Sequence, residues 1–170
     1  MLKVWISGAN GHLGQALCTR LDREKYQLIA TDVAEVDVTV PAEVRAFADA
    51  NRPDVIINCA AYTNVDGCEV NHDAAYKANA IGPRNLAQAA TKTGARLVHV
   101  STDYVFSGRE NGGIPQDEAT IPGPISAYGS TKLMGEKYVE QFCHRHFIVR
   151  TAWLLSLIHI SEPTRPLYIS

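Results

Sequence analysis

The sequence predicts a doubly wound α/β fold, in which a parallel sheet carries helices on both faces. Two observations support this prediction. Short apolar runs alternate with longer segments of helical periodicity, and strands that alternate with helices pair in parallel through right-handed crossovers. A glycine-rich segment also lies where the first apolar run passes into the first helical segment. In such a sheet we expect a ligand at the carboxyl ends of the strands.

Each predicted element follows from a local pattern. Short apolar runs predict strands at residues 2–6, 26–31, 54–58, 97–100 and 147–150. Helical spacing predicts helices at residues 13–21, from Pro41 onward, at 73–93 and at 126–142. Pro41 suits a first helical turn, Gly82-Pro83 predicts a kink in the third helix, and Gly94 predicts its end. A loop rich in glycine and proline is expected at residues 107–124.

The composition is that of an ordinary globular protein. Of the 170 residues, 46% are apolar and 20% are charged, and the formal net charge is −2. Lys and Arg are scattered, which indicates neither a nucleic-acid nor a membrane partner. No apolar run approaches the ~20 residues that span a bilayer, and no signal peptide precedes the first strand. We therefore expect a cytoplasmic protein.

The cysteines predict free thiols and no metal site. The four cysteines are irregularly spaced and form no CxxC pair, which is typical of reduced thiols in the cytoplasm. Cys143-x-x-His146 has the spacing of half a metal site but lacks a second pair of ligands. A helix end followed by a strand accounts for both residues, so we expect no metal there.

Three glycines in the first strand-to-helix turn indicate a phosphate-binding segment. Gly8, Gly11 and Gly14 follow a GxxGxxG spacing, not the commoner GxGxxG. Glycines allow a tight turn and a close approach of the backbone to a pyrophosphate, which the N-terminus of the next helix attracts. This placement predicts a Rossmann-like dinucleotide site. The alternative is a tight turn that binds no ligand.

Asp32 closes the second predicted strand, where a carboxylate reaches the adenosine ribose in this class of fold. A carboxylate accepts hydrogen bonds from the ribose hydroxyls and repels a 2′-phosphate, so Asp32 favours NAD over NADP. The alternative is a strand-end aspartate that only turns the chain. Asp37 and Val38 lie a few residues further on and are expected to flank the adenine.

Tyr128 and Lys132 form a candidate proton-transfer pair. Their i, i+4 spacing places both side chains on one face of the predicted helix at 126–142. A free tyrosine has a pKa near ~10, and a neighbouring ammonium is expected to lower it. Thr102, which follows the fourth predicted strand, can hold a carbonyl oxygen through its hydroxyl group. The alternative for the Tyr-x-x-x-Lys pattern is a solvated helix face.

These motifs together resemble the extended short-chain dehydrogenase/reductase family. The motifs are Gly8-x-x-Gly11-x-x-Gly14, Asn58-Cys59-Ala60-Ala61-Tyr62, Ser101-Thr102-Asp103 and Tyr128-x-x-x-Lys132. Longer strings are similar to the dTDP-4-dehydrorhamnose reductases within that family. These strings are Arg52 to Asn58, Ala60 to Asp66, Ser101 to Phe106 and Arg150 to Trp153.

The resemblance implies reduction of the 4-keto group of dTDP-4-dehydro-L-rhamnose to dTDP-L-rhamnose with NADPH or NADH, for cell-surface polysaccharide synthesis. It implies that Thr102, Tyr128 and Lys132 are catalytic. Implied cofactor-binding residues are Gly8, Gly11, His12, Leu13, Gly14, Asp32, Asp37, Val38, Ala61, Tyr62, Thr63, Tyr104, Tyr128 and Lys132. Implied substrate-binding residues are Thr102, Asp103 and Trp153.

Further implications concern neighbouring positions. Asn79 is expected to bond backbone near the site, with a helix-surface asparagine as the alternative. The related sugar-nucleotide 4,6-dehydratases carry a glutamate where this chain has Tyr104, so the resemblance favours ketone reduction over water elimination. It also implies a dTDP-sugar substrate and allows a homodimer of the intact protein.

The resemblance stops after Trp153. Family members continue into a small substrate domain, so we expect residues 1–154 to be a truncated NAD(P)-binding domain with the substrate domain missing. The segment Leu155 to Arg165 resembles a translated sequencing adapter, and we expect residues 155–170 to be a non-native tail. The fragment itself is therefore expected to be inactive.

A second function remains open at this stage. The regulatory subunit of methionine adenosyltransferase resembles the same family and binds NAD(P) without catalysis. The presence of Thr102, Tyr128 and Lys132 favours the enzyme. The sequence leaves open the exact nucleotide sugar, the choice between NADH and NADPH, and the oligomeric state.

Overall fold

A computed structural model describes residues 1–108 and 115–152. In these ranges five strands form one parallel sheet in the order β2-β1-β3-β4-β5. The strands are β1 Leu2–Ser7, β2 Tyr26–Thr31, β3 Val55–Asn58, β4 Arg96–Thr102 and β5 His146–Thr151. The predicted doubly wound parallel fold is thereby confirmed. The strand order reverses between β1 and β3, which is where such folds bind ligands.

The helices connect these strands in the expected alternation. They are α1 His12–Arg20, α2 Pro41–Asn51, α3 Val65–Val70, α4 His72–Tyr76, α5 Gly82–Thr93 and α6 Ala127–Phe142. Pro41 is the first residue of α2, and Gly94 ends α5 in a left-handed conformation with φ +79°, as predicted. In the described ranges, every helix is too short or too polar to cross a membrane.

The long helix predicted at 73–93 differs in one respect. It is divided by a π-helical turn at Lys77–Ile81, which precedes the predicted kink at Gly82-Pro83. Pro83 has no N–H group to bond the Asn79 carbonyl four residues earlier, so the regular helical bonding is interrupted there. Helix α3 was not predicted, because its six residues are too few to show a helical period.

The two faces of the sheet are packed by different helices. Because side chains alternate along a strand, Trp5 of β1 faces one core while Val4 and Ile6 face the other. The Trp5 core contains buried residues from α2, α5 and α6, and the second core is packed by α1. On strand β5, Phe147 is 62% exposed and Val149 is 46% exposed.

Helix α6 approaches the π-helical turn at a glycine. A Cβ atom added at Gly135 would collide with the Asn79 carbonyl oxygen and would crowd Pro83. The contacting group is backbone, which cannot move aside as a flexible side chain can. Any side chain at Gly135 must therefore push α6 away from the turn.

We expect Gly135→Ala to lower the free energy of unfolding by about 1–3 kcal/mol, because overpacking at a backbone contact forces the helices apart. Urea denaturation followed by circular dichroism measures this loss. The matched control is Met134→Ala at the neighbouring, 40% exposed position, which should change stability by less than about 0.5 kcal/mol. Equal effects of the two substitutions would contradict the packing argument.

Candidate active site

A cleft of about 830 Å³ opens at the carboxyl ends of β1, β2 and β3. Its position is the point where the strand order reverses, as the fold class requires. Ten of the predicted cofactor-binding residues line it. They are Gly8, Gly11, His12, Leu13, Gly14, Asp32, Asp37, Val38, Ala61 and Thr63. The cleft also includes residues outside the predicted cofactor-binding set: Asn10, Val33, Val36, Thr39, Cys59, Ala60 and Ala78.

The glycine turn is shaped by close backbone contacts. Gly8 has φ +71°, and a Cβ atom there would lie 2.6 Å from the Ala60 nitrogen. A Cβ atom at Gly14 would collide with the Gly8 carbonyl oxygen. Gly11 precedes α1, and no side chain caps the first amide groups of that helix. The first residues of α1 line the cleft, and the hydrogen-bonding capacity of their amides is available to an anion.

Asp32 lies at the rim of the cleft and also supports the turn. Its two carboxylate oxygens accept hydrogen bonds from the backbone N–H groups of Asn10 (2.9 Å) and Val33 (2.8 Å). Asp32 thus supports the chain at the end of β2, which was the alternative interpretation. It also lines the cleft. Among the described residues that line the cleft there is no Lys or Arg.

Asn79 joins the cleft to α6. Its side-chain oxygen accepts a hydrogen bond from the Tyr62 N–H group at 2.8 Å, and its side-chain nitrogen donates to the Tyr62 carbonyl at 3.1 Å. The same nitrogen lies 3.1 Å from the Thr131 hydroxyl on α6. Asn79 is fully buried, so it is not a helix-surface residue. The expectation that it bonds backbone near the site is confirmed.

Tyr128 lies in the first turn of α6, beside the end of β4. The helix is capped by the Ser126 hydroxyl, which accepts a hydrogen bond from the Gly129 N–H group at 3.0 Å. The rings of Tyr104 and Tyr128 meet edge to face with centroids 5.5 Å apart. These contacts place the phenol next to Thr102, the residue predicted to hold the carbonyl oxygen.

The predicted lowering of the Tyr128 pKa is wrong for this structure. Burial raises the pKa of Tyr128, and hydrogen bonding with Thr102 opposes that rise. The nearby Cys68, Asp103 and Tyr104 raise the Tyr128 pKa further. The i, i+4 spacing does bring Lys132 to the same helix face, but its ammonium group is directed to the backbone of β4. A phenol with a raised pKa keeps its proton at neutral pH.

Lys132 is almost completely buried, with 2% of its surface exposed. Its Nζ donates a hydrogen bond to the Val100 carbonyl oxygen at 2.6 Å. Burial lowers the pKa of Lys132 to about 8, and the neighbouring Glu136 and Cys59 oppose this lowering. Lys132 in turn opposes the rise of the Cys59 pKa, which burial and the Cys18 thiol bring to about 11. Lys132 thus interacts with a side chain of the cleft without lining it.

Not every predicted residue lies in the cleft. Tyr62, Tyr104, Tyr128 and Lys132 are outside its lining, although Tyr62 is bonded to Asn79 and the other three lie around the end of β4. Asp103 accepts a hydrogen bond from the Thr102 hydroxyl at 3.1 Å. Trp153 and the proposed tail at 155–170 fall outside the described residues.

Comparison with known protein families identifies the chain. Residues 2–160 match the model of the RmlD substrate binding domain. The chain belongs to the RmlD substrate-binding-domain family. It is 42% identical over 151 residues to the dTDP-4-dehydrorhamnose reductase of Mycobacterium tuberculosis. The aligned region covers 88% of this chain and 49% of the relative. The chain spans about half the length of the curated relatives it matches.

Solved structures agree with this assignment. A dTDP-4-dehydrorhamnose reductase from Clostridium acetobutylicum has 47% identity and a TM-score of 0.88, covering 91% of this chain and 55% of that one. The Bacillus anthracis enzyme, solved in complex with NADP, has 44% identity and a TM-score of 0.85, covering 90% and 54%. A UDP-glucose 4-epimerase from Thermotoga maritima, at 21% identity and a TM-score of 0.79, shares the fold and covers 88% and 55%. The resemblance stated from the motifs is confirmed.

The RmlD-family chain also contains a buried polar row that sequence reasoning missed. The Asn58 side-chain oxygen accepts hydrogen bonds from the Ser7 hydroxyl (2.9 Å) and the Ala60 N–H group (3.1 Å). Its side-chain nitrogen must therefore donate to His99 Nδ1, 3.1 Å away, which leaves the imidazole proton on Nε2. The polar types in otherwise apolar strands were the only signal for this row.

No metal site emerges in the described part of the chain. There, no group of three or more His, Cys, Asp or Glu side chains is arranged to hold an ion. In the Cys143-x-x-His146 segment, the His146 ring nitrogen Nδ1 lies 2.5 Å from the Cys143 carbonyl oxygen. All four cysteines are free thiols, as predicted.

The buried imidazole makes stability depend on pH. Burial holds the pKa of His99 well below its usual 6.5, and the Lys132 charge adds to this lowering. The unfolded chain binds a proton at His99 below pH 6.5 while the folded chain does not, so stability is lost as the pH falls. We expect His99→Gln, which can still accept from Asn58, to remove this loss.

Urea denaturation at pH 7.5 and 5.5 tests this expectation. The stability advantage of wild type over His99→Gln should shrink by about 1 kcal/mol at the lower pH. The control is His144→Gln at an exposed position, which should lose the same stability as wild type over this range. A constant difference between wild type and His99→Gln would contradict the argument.

Proposed function

We propose that this chain carries the cofactor-binding and proton-donating part of an NAD(P)H-dependent reductase acting on the 4-keto group of dTDP-4-dehydro-L-rhamnose. The proposal is supported by one structural arrangement at the carboxyl ends of the strands. A cleft with a glycine turn lies at the strand reversal, and Thr102, Tyr128 and Lys132 stand together at the end of the neighbouring strand β4. The relatives named dTDP-4-dehydrorhamnose reductase support the choice of substrate.

The residues of the cleft fit a dinucleotide. The uncapped amides of α1 suit a pyrophosphate, and the Gly8 backbone leaves room for its close approach. Asp32 at the rim suits the hydroxyls of an adenosine ribose, with Asp37 and Val38 beside it. We propose that Ala61, Tyr62 and Thr63 continue this contact after β3. When bound, NAD(P)H supplies the hydride that reduces the ketone.

The chain's own residues supply the proton and the orientation. The Thr102 hydroxyl holds the carbonyl oxygen of the sugar, and Tyr128 donates its phenolic proton to that oxygen as negative charge develops. Burial keeps this proton on Tyr128 at neutral pH, which suits the reducing direction. Lys132 contributes positive charge beside the ribose of the cofactor. Tyr104 is proposed to border the cofactor, and Asp103 and Trp153 the sugar.

The same arrangement favours an enzyme over a silent regulatory subunit, because a binding module has no need of a buried proton donor beside a threonine hydroxyl. We propose a cytoplasmic enzyme of nucleotide-sugar metabolism. Residues 1–154 are proposed as the cofactor-binding domain and residues 155–170 as a non-native tail. Because its curated relatives are about twice as long, we expect the 170-residue chain alone to bind cofactor weakly and to show no useful turnover.

Cofactor choice provides one test. Wild type should bind NADH at least as tightly as NADPH, because Asp32 repels a 2′-phosphate and no described cation lines the cleft. Asp32→Asn should shift the ratio of the two dissociation constants toward NADPH by roughly threefold to tenfold. Titration of nucleotide fluorescence measures both constants. The control is Glu118→Gln at an exposed position outside the cleft, which should leave the ratio unchanged. A strong NADPH preference in wild type would oppose the role of Asp32.

The proton donor provides a second test. In a chimaera of residues 1–152 with the C-terminal half of the Mycobacterium tuberculosis relative, Tyr128→Phe should keep NADH affinity and lower kcat at least about 100-fold. The phenolic proton is the only group removed. Steady-state kinetics and nucleotide titration separate the two effects, and Tyr138→Phe on the same helix is the control. Turnover close to that of the parent chimaera would contradict the proposed role of Tyr128 as proton donor.

A further inference from the structure

Helix α6 carries a buried carboxylate for which the proposed reaction has no use. Glu136 is fully buried, yet it lies on the helix that also carries Tyr128 and Lys132. The three residues follow each other at four-residue spacing and therefore share one face of α6. A buried charge is costly unless it is paired and hydrogen-bonded. The environment of Glu136 supplies those partners in full.

Two strands hold the Glu136 carboxylate. The Ser101 hydroxyl on β4 donates to Oε1 at 2.5 Å. Arg150 on β5 donates from Nε to Oε1 at 3.0 Å and from Nη2 to Oε2 at 2.7 Å. Ser101 and Arg150 are cross-strand partners in the sheet, so the carboxylate bridges neighbouring positions of β4 and β5. A bidentate arginine pair fixes both the distance and the orientation of the carboxylate.

The contacts of α6 with β4 fall on three consecutive residues. The Val100 carbonyl accepts the hydrogen bond from Lys132, the Ser101 hydroxyl donates to Glu136, and Thr102 interacts with Tyr128. Any shift or rotation of α6 along the strand therefore moves all three contacts together. The Glu136 carboxylate is also bound by β5, because Arg150 donates to both of its oxygens.

We propose that Glu136 is a positioning residue of the reductase site, which holds the Tyr128 and Lys132 face of α6 against β4 and acts as the buried countercharge of Lys132. This inference rests on the proposed function. Stability alone is a weak reason for such a pair, because apolar residues of similar volume often replace a buried ion pair without loss. Apolar residues supply no countercharge.

The charge of Lys132 is set by groups on several elements. Burial lowers its pKa, and Glu136 on α6 together with Cys59 after β3 raises it. His99 on β4 is neutral at ordinary pH, because burial holds its pKa well below 6.5. Tyr128 on α6 keeps its proton, since burial raises its pKa. The guanidinium of Arg150 on β5 is bound by Glu136 and lies 5.0 Å from the centre of the Phe106 ring.

The test follows the protonation of Lys132 directly in the 170-residue chain. The side-chain NMR signals of 13C-labelled lysine are recorded against pH, and Lys132→Met identifies the signal of Lys132. In wild type its midpoint is expected near pH 8. Glu136→Gln should lower that midpoint by about one pH unit or more, because the countercharge is removed. In Glu136→Asp, which keeps the charge, the Lys132 midpoint should fall by less than in Glu136→Gln.

One further variant separates this role from a merely structural one. Glu140→Gln removes an exposed carboxylate one turn further along α6 and should leave the Lys132 midpoint unchanged. A loss of stability alone does not move the Lys132 midpoint in the folded protein. Should Glu136→Gln fail to fold, Glu136→Asp still gives a signed prediction, because the shorter side chain shifts the carboxylate and should lower the midpoint by a smaller amount.

Nucleotide binding adds a readout that depends on the proposed function. NADH affinity of wild type should fall as Lys132 loses its proton, because the ammonium attracts the anionic dinucleotide, and the fall should begin at lower pH in Glu136→Gln. An unchanged Lys132 midpoint in folded Glu136→Gln or, should that variant not fold, an unchanged midpoint in Glu136→Asp overturns the inference. Failure of wild type to bind NADH would instead refute the proposed function and leave the Lys132 titration standing.

Discussion

The burial of one positive charge, that of Lys132, constrains most of the described site. A lysine without solvent must find both a hydrogen-bond acceptor and a countercharge, and the Val100 carbonyl and Glu136 provide them. Glu136 is itself buried and requires Ser101 and Arg150. Each buried charge is therefore stabilised by groups on another element, so that α6 depends on β4 and then on β5.

A second contact of the same helix depends on shape rather than on charge. Gly135 lets α6 approach the π-helical turn so closely that no side chain fits against Asn79. Asn79 bonds Tyr62 at the edge of the cleft and Thr131 on α6. The irregular turn, which Pro83 favours by lacking an N–H group, thereby links the cofactor side of the molecule to the proton-donating side.

The sequence predicted what depends on local pattern and missed what depends on tertiary contact. Strand and helix periodicity predicted the sheet, and the glycine spacing predicted the position of the cleft. Each of these two signals lies within a few neighbouring residues. The π-helical turn and α3 were missed since neither has a period of its own. The pKa of Tyr128 was predicted in the wrong direction, because helical spacing shows that Lys132 shares its face but not that its ammonium bonds β4. The Ser7, Asn58 and His99 row required knowledge of which strands are neighbours.

The same distinction explains why the proposed positioning cluster escaped the motifs. Ser101, Glu136 and Arg150 are separated by 35 and 14 residues along the chain, and only the pairing of β4 with β5 brings them together. Strand β5 forms one edge of the described sheet. Separation of β5 from β4 would remove Arg150 from the Glu136 carboxylate, and Lys132 would then share its helix face with a carboxylate that lacks its bidentate partner. The charge of the proposed site is therefore coupled to the docking of this edge strand, which a short sequence motif cannot encode.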